Sequence, residues 1–145
     1  MQRVARSAVI DASPEAVFDV IADLDRLAAW QSGIVETRRT SDGPIGVGAR
    51  ARVVRQLMGQ RLEAPITVTA YDRPRLISVE STVAGVHATA ILDVAPLDHG
   101  KSEVTFTMEL NASGLTALME PVIASAASGD LADSLERLGA LLGRD

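Results

Sequence analysis

Residues 102–110 read SEVTFTMEL, and this stretch decides the fold because polar and apolar side chains alternate along it. Such alternation predicts a half-buried antiparallel strand. Its apolar face consists of Val104, Phe106, Met108 and Leu110. From Leu115 onward the apolar period becomes helical, and the stripe that forms contains Leu131, Leu135, Leu138 and Leu142. The two periods together predict a sheet with one face covered by a long C-terminal helix. Pro121 marks either a kink in that helix or its true first turn.

Working outward, the same criteria predict about seven strands in an antiparallel meander. They are residues 3–10, 34–41, 49–57, 61–71, 75–82, 86–95 and 102–110. Pro65 lies within one of them, which predicts an edge strand or a bulge. Two short helices are predicted between strands 1 and 2, the first with Ser13 as its N-cap and Pro14 in its first turn. Asp23 can cap the second, which ends at Trp30. No linker interrupts the pattern, so we expect one α+β domain over residues 1–145.

Composition narrows the possible functions. The 145 residues carry a net charge of −5, which argues against nucleic-acid binding. There is no cysteine, so thiol chemistry and disulfides are excluded. Neither a signal peptide nor an apolar run long enough for a membrane span is present in the sequence, and a cytoplasmic location is expected.

The two histidines and the absence of cysteine argue against a metal site, and no motif points to a cofactor. His99 falls in a polar turn and His87 on the outward face of a strand, so a nucleophile–histidine pair is not indicated. General acid–base chemistry remains the enzymatic option. Its candidate side chains are Arg55, Glu63, Glu80 and Glu109. Arg55 shares strand parity with Ala51 and Val53 and therefore can point inward.

Four short motifs occur in order along the chain: ASPEAVF at 12–18, ADLDRLAAW at 22–30, GVGAR at 46–50 and YDRPRL at 71–76. With the closing strand and long final helix, they make the sequence resemble the START-related SRPBCC superfamily, within it the polyketide cyclase/dehydrase-like group. The resemblance implies a helix-grip fold, in which a curved sheet wraps the C-terminal helix around a cavity. It also implies binding of a lipid, polyketide, quinone or similar small hydrophobic molecule.

The centre of the final helix, residues 124–129, reads ASAASG and has little side-chain volume. Either the helix packs tightly on the sheet through these residues, or a cavity remains. We predict a cavity that binds a small hydrophobic ligand. The predicted ligand-binding residues are Trp30, Arg55, Leu57, Met58, Phe106, Met108, Leu118, Met119, Val122 and Ile123.

The residues indicate no firm catalytic machinery, so catalysis is not the favoured interpretation. Two alternatives stay open: a polyketide aromatase/cyclase-type acid–base enzyme, with cyclase or dehydratase-like chemistry, and a homodimeric interaction module. Trp30 is equally consistent with a packing anchor whose indole N–H finds a partner.

Overall fold

A computed structural model describes residues 1–57, 59–83 and 85–142. Seven antiparallel strands form one sheet in the spatial order β1-β7-β6-β5-β4-β3-β2. The strands are β1 (Gln2–Ile10), β2 (Ile34–Arg39), β3 (Arg50–Leu57), β4 (Gln60–Asp72), β5 (Leu76–Val83), β6 (Val86–Pro96) and β7 (Ser102–Ala112). The helices are α1 (Pro14–Ile21) and α2 (Glu120–Leu142), with 3₁₀ segments at Leu24–Ala29, Asp98–Gly100 and Gly114–Met119. The predicted helix-grip architecture is confirmed.

Two predicted caps fix the helices between β1 and β2. The Ser13 hydroxyl accepts a hydrogen bond from the backbone N–H of Ala16, and Pro14 opens α1. The Asp23 carboxylate accepts from the backbone N–H of Asp25 and starts the 3₁₀ segment that leads to Trp30. These caps place Phe18 and Trp30, both fully buried, inside the concave face of the sheet.

Strand β4 changes its inward face at a bulge. Before it, Ile66 and Val68 point into the core; after the register shift between Val68 and Ala70, Tyr71 turns inward against Phe18. The two rings meet edge to face with their centroids 5.5 Å apart. Strict alternation from Ile66 and Val68 would place Tyr71 on the outer face, and the extra residue of the bulge is the reason that it points inward.

Pro65 lies on β4, which is an interior strand, so its assignment to a sheet edge is wrong. The pairing of β4 with β5 starts only at Thr67, opposite Glu80, so the missing N–H of Pro65 lies beyond that ladder. The hydroxyl of Ser81 donates to the Pro65 carbonyl at 2.7 Å. The predicted bulge does exist, but it falls after Val68 rather than at the proline.

Helix α2 begins at Glu120, so Pro121 occupies its first turn and does not kink it. Leu131, Leu135 and Leu138 are buried against the sheet, as their spacing predicted. The Glu120 carboxylate accepts from the backbone N–H of Ala112 at 3.0 Å, which ties the start of α2 to the end of β7. That hydrogen bond, together with the N-terminal amine, lowers the pKa of Glu120.

Candidate functional site

A partly enclosed cavity of about 90 Å³ lies between the sheet and the first half of α2. Most of its wall is apolar, and both halves of the fold contribute to it. The sheet supplies Val83, Val86, Ala88, Phe106, Met108 and Leu110, and α2 supplies Ile123, Ala127 and Leu131. The small side chain of Ala127 leaves room where a larger residue would touch the sheet. The cavity therefore depends on the low-volume centre of the helix.

The polar residues of the wall come from separate parts of the chain. They are Gln31, Ser32, Arg55, Ser81, Asp130 and Ser134. Three of them are joined by hydrogen bonds. The Ser134 hydroxyl accepts from the Ser32 backbone N–H at 2.8 Å, and the Ser32 hydroxyl donates to Asp130 Oδ1 at 3.4 Å. These bonds fix the segment before β2 to α2 and hold the Asp130 carboxylate in place.

Gly33 allows this segment to approach Asp130 closely. Its φ of +90° is in the left-handed region, which favours glycine. A Cβ there would lie 3.3 Å from Asp130 Oδ2, and the Gly33 carbonyl also accepts from the Gln56 N–H at 2.7 Å. A side chain at position 33 would therefore disturb both the backbone and the carboxylate.

Arg55 and Asp130 are the two charged residues among the described cavity wall. Their charges attract each other, but no nitrogen–oxygen pair between them lies within ion-pair distance in the described structure. Burial lowers the pKa of the Arg55 guanidinium, and the nearby Asp130 opposes that shift. Burial raises the pKa of the Asp130 carboxyl, although the Ser32 hydrogen bond and the Arg55 charge act the other way. Desolvation is therefore the largest influence on the pKa of both groups.

Two donors in the wall are left without protein partners. Within the ranges that the structure describes, neither the Arg55 guanidinium nor the side-chain amide of Gln31 forms a hydrogen bond with another residue. Gln31 is nevertheless buried, and Arg55 is half-buried. The buried side-chain atoms without a partner among the described residues are Trp30 Nε1 and Arg39 Nε, so the nitrogens of Gln31 and Arg55 keep some accessible surface. These two groups are therefore available to a bound molecule.

Of the predicted ligand-binding residues, the structure places Arg55, Phe106, Met108 and Ile123 in the cavity wall. Met58 and the side chain of Leu57 lie outside the described part of the chain. Whether the placed residues bind a ligand stays a prediction.

The structure corrects the predicted lining at four positions. Leu118, Met119 and Val122 are 80%, 40% and 50% exposed and face away from the cavity. Leu118 and Met119 belong to the 3₁₀ segment before α2, whereas Val122 lies in α2, about 100° around the helix from the buried Ile123. Trp30 is fully buried behind the wall, with its ring centroid 5.8 Å from that of Phe106. Its indole N–H has no partner among the described residues, so the partner expected of a packing anchor is not found.

The other acid–base candidates lie on the protein surface in ion pairs. Glu63 pairs with Arg52 and Glu109 with Arg3, while Glu80 lies 3.8 Å from His87. His87 also contacts the Thr82 hydroxyl through Nδ1 and is exposed. His99 lies in the exposed turn before β7, as predicted. None of these side chains reaches the cavity wall.

Sequence reasoning missed Asp130 and Gln31. Asp130 follows Ile123 by seven residues and Ala127 by three, so it belongs to the inward face of α2. A carboxylate within that otherwise apolar face was the available signal. Gln31 had no comparable signal, because it follows an irregular 3₁₀ segment without a period.

No described helix is long and apolar enough to cross a membrane. No group of three or more His, Asp or Glu side chains within the described ranges is arranged to hold a metal ion.

A bent antiparallel sheet closed by a C-terminal helix over a cavity defines the helix-grip class of proteins. The model of the family described as polyketide cyclase/dehydrase and lipid transport matches residues 1–143. The chain belongs to this family, and the resemblance inferred from its motifs is confirmed. No curated protein matches the sequence.

Solved structures with the same fold cover nearly the whole chain. A Thermus thermophilus protein aligns with a TM-score of 0.80 at 16% identity, over 96% of this chain and 95% of its own. A START superfamily protein from Mycobacterium smegmatis gives 0.77 at 16%, over 96% and 97%. The Zhui aromatase/cyclase of a Streptomyces species gives 0.73 at 17%, over 94% and 93%. At these identities the likeness shows the fold alone.

Proposed function

We propose that this protein binds a small, mostly apolar molecule carrying one polar group, in the cavity between the sheet and α2. The observation that carries the proposal is the unpartnered pair of donors, Arg55 and Gln31, at the edge of an apolar wall. An apolar cavity with a few convergent polar groups is the usual form of a small-molecule site. Membership of a family whose description includes lipid transport supports the same interpretation.

The size of the cavity limits the ligand. About 90 Å³ holds several waters, since one water needs roughly 10–15 Å³ by the same measure. Pockets for drug-sized ligands are about 300–1,000 Å³. A single aromatic ring suits the space, whereas a full-length lipid or polyketide would require the wall to move. Met108, whose side chain is flexible, is the wall residue best suited to such movement.

Ligand-observed NMR with single-ring compounds tests the proposal. We expect ketones such as acetophenone to bind the wild type and to raise its unfolding midpoint. Ala127→Leu, which fills the cavity from α2, should abolish binding. Leu118→Ala, which changes an exposed residue outside the wall, is the matched control and should leave binding unchanged. Equal binding to wild type and Ala127→Leu would contradict the proposal.

Acid–base catalysis is the second candidate, and the presence of Arg55 and Asp130 in one cavity wall favours it. A raised pKa makes the Asp130 carboxyl a better proton acceptor when ionised, and the Arg55 guanidinium can stabilise negative charge on a carbonyl oxygen. Together they could remove a proton next to a ligand carbonyl. In D₂O, acetophenone methyl protons should then exchange faster with protein than with buffer, and Asp130→Asn should remove the difference. Exchange equal to the buffer rate would dispose of this candidate for acetophenone-like ketones.

A further inference from the structure

The charges of the cavity wall bear on which ligands fit. Arg55 contributes one positive charge and Asp130 one negative, and the remaining described wall residues are neutral. The wall is therefore close to neutral as a whole when both groups are ionised. Within a low-dielectric wall, a charged ligand needs a compensating charge that is not already engaged.

The Asp130 carboxylate is held in a fixed position. Ser32 donates to Oδ1 at 3.4 Å, and a Cβ at Gly33 would lie 3.3 Å from Oδ2. It also lies one helical turn from Ser134, which anchors the same segment through its contact with the Ser32 N–H. The Ser32 hydrogen bond therefore orients the Asp130 carboxylate at the cavity wall.

Arg55 attracts Asp130 without touching it. Both side chains line the cavity, and no direct ion pair forms between these two described residues. The free amide of Gln31 belongs to the same wall. A ligand oxygen that accepts from Arg55, or from the Gln31 amide, therefore shares the cavity with the negative charge of Asp130.

We infer that the site selects neutral ligands with a carbonyl oxygen and rejects carboxylates, with Asp130 as the residue that sets this preference. The inference rests on the proposed ligand-binding function. A neutral carbonyl accepts from Arg55 and leaves the Arg55–Asp130 attraction intact. A carboxylate places a second anion beside Asp130, where one guanidinium has to balance two negative charges. Discrimination of this kind uses a repulsive element against the wrong ligand as well as an attractive one for the right ligand.

Acetophenone and benzoate form a matched pair of probes, because they share the ring and differ by a methyl group in place of a carboxylate oxygen. Titrations followed by ligand-observed NMR at neutral pH give both dissociation constants. We expect the wild type to bind acetophenone at least about tenfold more tightly than benzoate. Asp130→Asn should bind benzoate at least about tenfold better than the wild type does, since Arg55 is then free to pair with the ligand.

Two further variants test whether Asp130 and Arg55 are the residues that determine the ligand preference. Glu136→Gln removes the same charge from an exposed position of α2 outside the wall, so the ratio of the two dissociation constants should not change. Arg55→Gln should weaken acetophenone binding and prevent benzoate from gaining in the Asp130→Asn background. A gain in benzoate affinity from Glu136→Gln as large as that from Asp130→Asn would overturn the assignment of the preference to Asp130.

The outcomes of these titrations distinguish a failure of this inference from a failure of the proposed ligand-binding function. Wild-type protein that binds benzoate as tightly as acetophenone overturns the inference and leaves ligand binding standing; this comparison does not depend on any variant folding. Asp130→Asn with an unchanged ratio has the same consequence. Binding of neither probe to any of the proteins overturns the proposed function, and the inference with it.

Discussion

Filling the cavity from the helix side tests whether the space beneath α2 exists. Ala127 is half-buried and lines the cavity, so Ala127→Leu places three extra carbons there. Burying them is worth at most about 2.4 kcal/mol, at roughly 0.8 kcal/mol per carbon. Because the cavity is only partly enclosed, we expect a gain of about 1–2 kcal/mol in the free energy of unfolding. The helix propensities of alanine and leucine differ little, so they do not decide the sign.

Ala124→Leu is the matched control. Ala124 belongs to the same small-residue run of α2, but it is only 6% exposed, is packed in the core and does not line the cavity. Adding carbons to a filled site costs about 1–3 kcal/mol. Urea unfolding at constant m-value measures both changes, and a gain of 1 kcal/mol should also raise the melting temperature by roughly 2–4 °C. If Ala127→Leu loses as much stability as Ala124→Leu, α2 packs tightly at both positions and the reasoning from the cavity is refuted.

Three other predictions concern the surroundings of the cavity. Gly33→Ala should lose more stability than Gly43→Ala. Both positions have a positive φ, which strains a non-glycine residue by about 1–3 kcal/mol. Of the two, only the Cβ at position 33 would contact Asp130. Equal losses in urea unfolding would contradict this difference. Arg55→Gln should raise the pKa of Asp130 further, because the Arg55 charge lowers that pKa. Burial of ionised Asp130 costs stability, and protonation removes this cost. As the solution is acidified, the variant should therefore regain stability at a higher pH than the wild type does. A carboxyl NMR titration showing an unchanged or lower pKa would refute this. Ser102→Ala should cost about 1–3 kcal/mol, because the buried hydroxyl donates at 2.7 Å to a backbone carbonyl between β1 and α1; an unchanged urea midpoint would argue against it.

Most of the fold could be predicted from the sequence because its signals are local. The alternation in β7 and the leucine spacing of α2 depend only on which side of an element faces the core. The Ser13 cap is likewise determined by a hydrogen bond within a few residues. Such features are visible in a single sequence, and the structure reproduces them.

The features that could not be predicted are of two kinds. They depend either on which face of a strand or helix points inward, or on residues that lie far apart in the sequence. One bulge in β4 changes the face of the sheet on which Tyr71 lies, and no neighbouring residue in the sequence indicates this bulge. Leu118 belongs to the 3₁₀ turn before α2, and Val122 lies about 100° around the helix from the buried Ile123, so neither lines the cavity. Arg55 and Asp130 are 75 positions apart in the sequence, and only the three-dimensional fold brings them into one cavity wall.

The packing of Trp30 on Phe106 has a practical consequence. Trp30 is the one tryptophan of the sequence, it is fully buried, and the ring it packs against forms part of the cavity wall. The chain therefore contains its own optical probe: a molecule that displaces the Phe106 ring changes the surroundings of the indole directly behind it. Its fluorescence can report occupancy of the cavity in the unlabelled, unmodified protein, for ligands that do not absorb at the excitation wavelength.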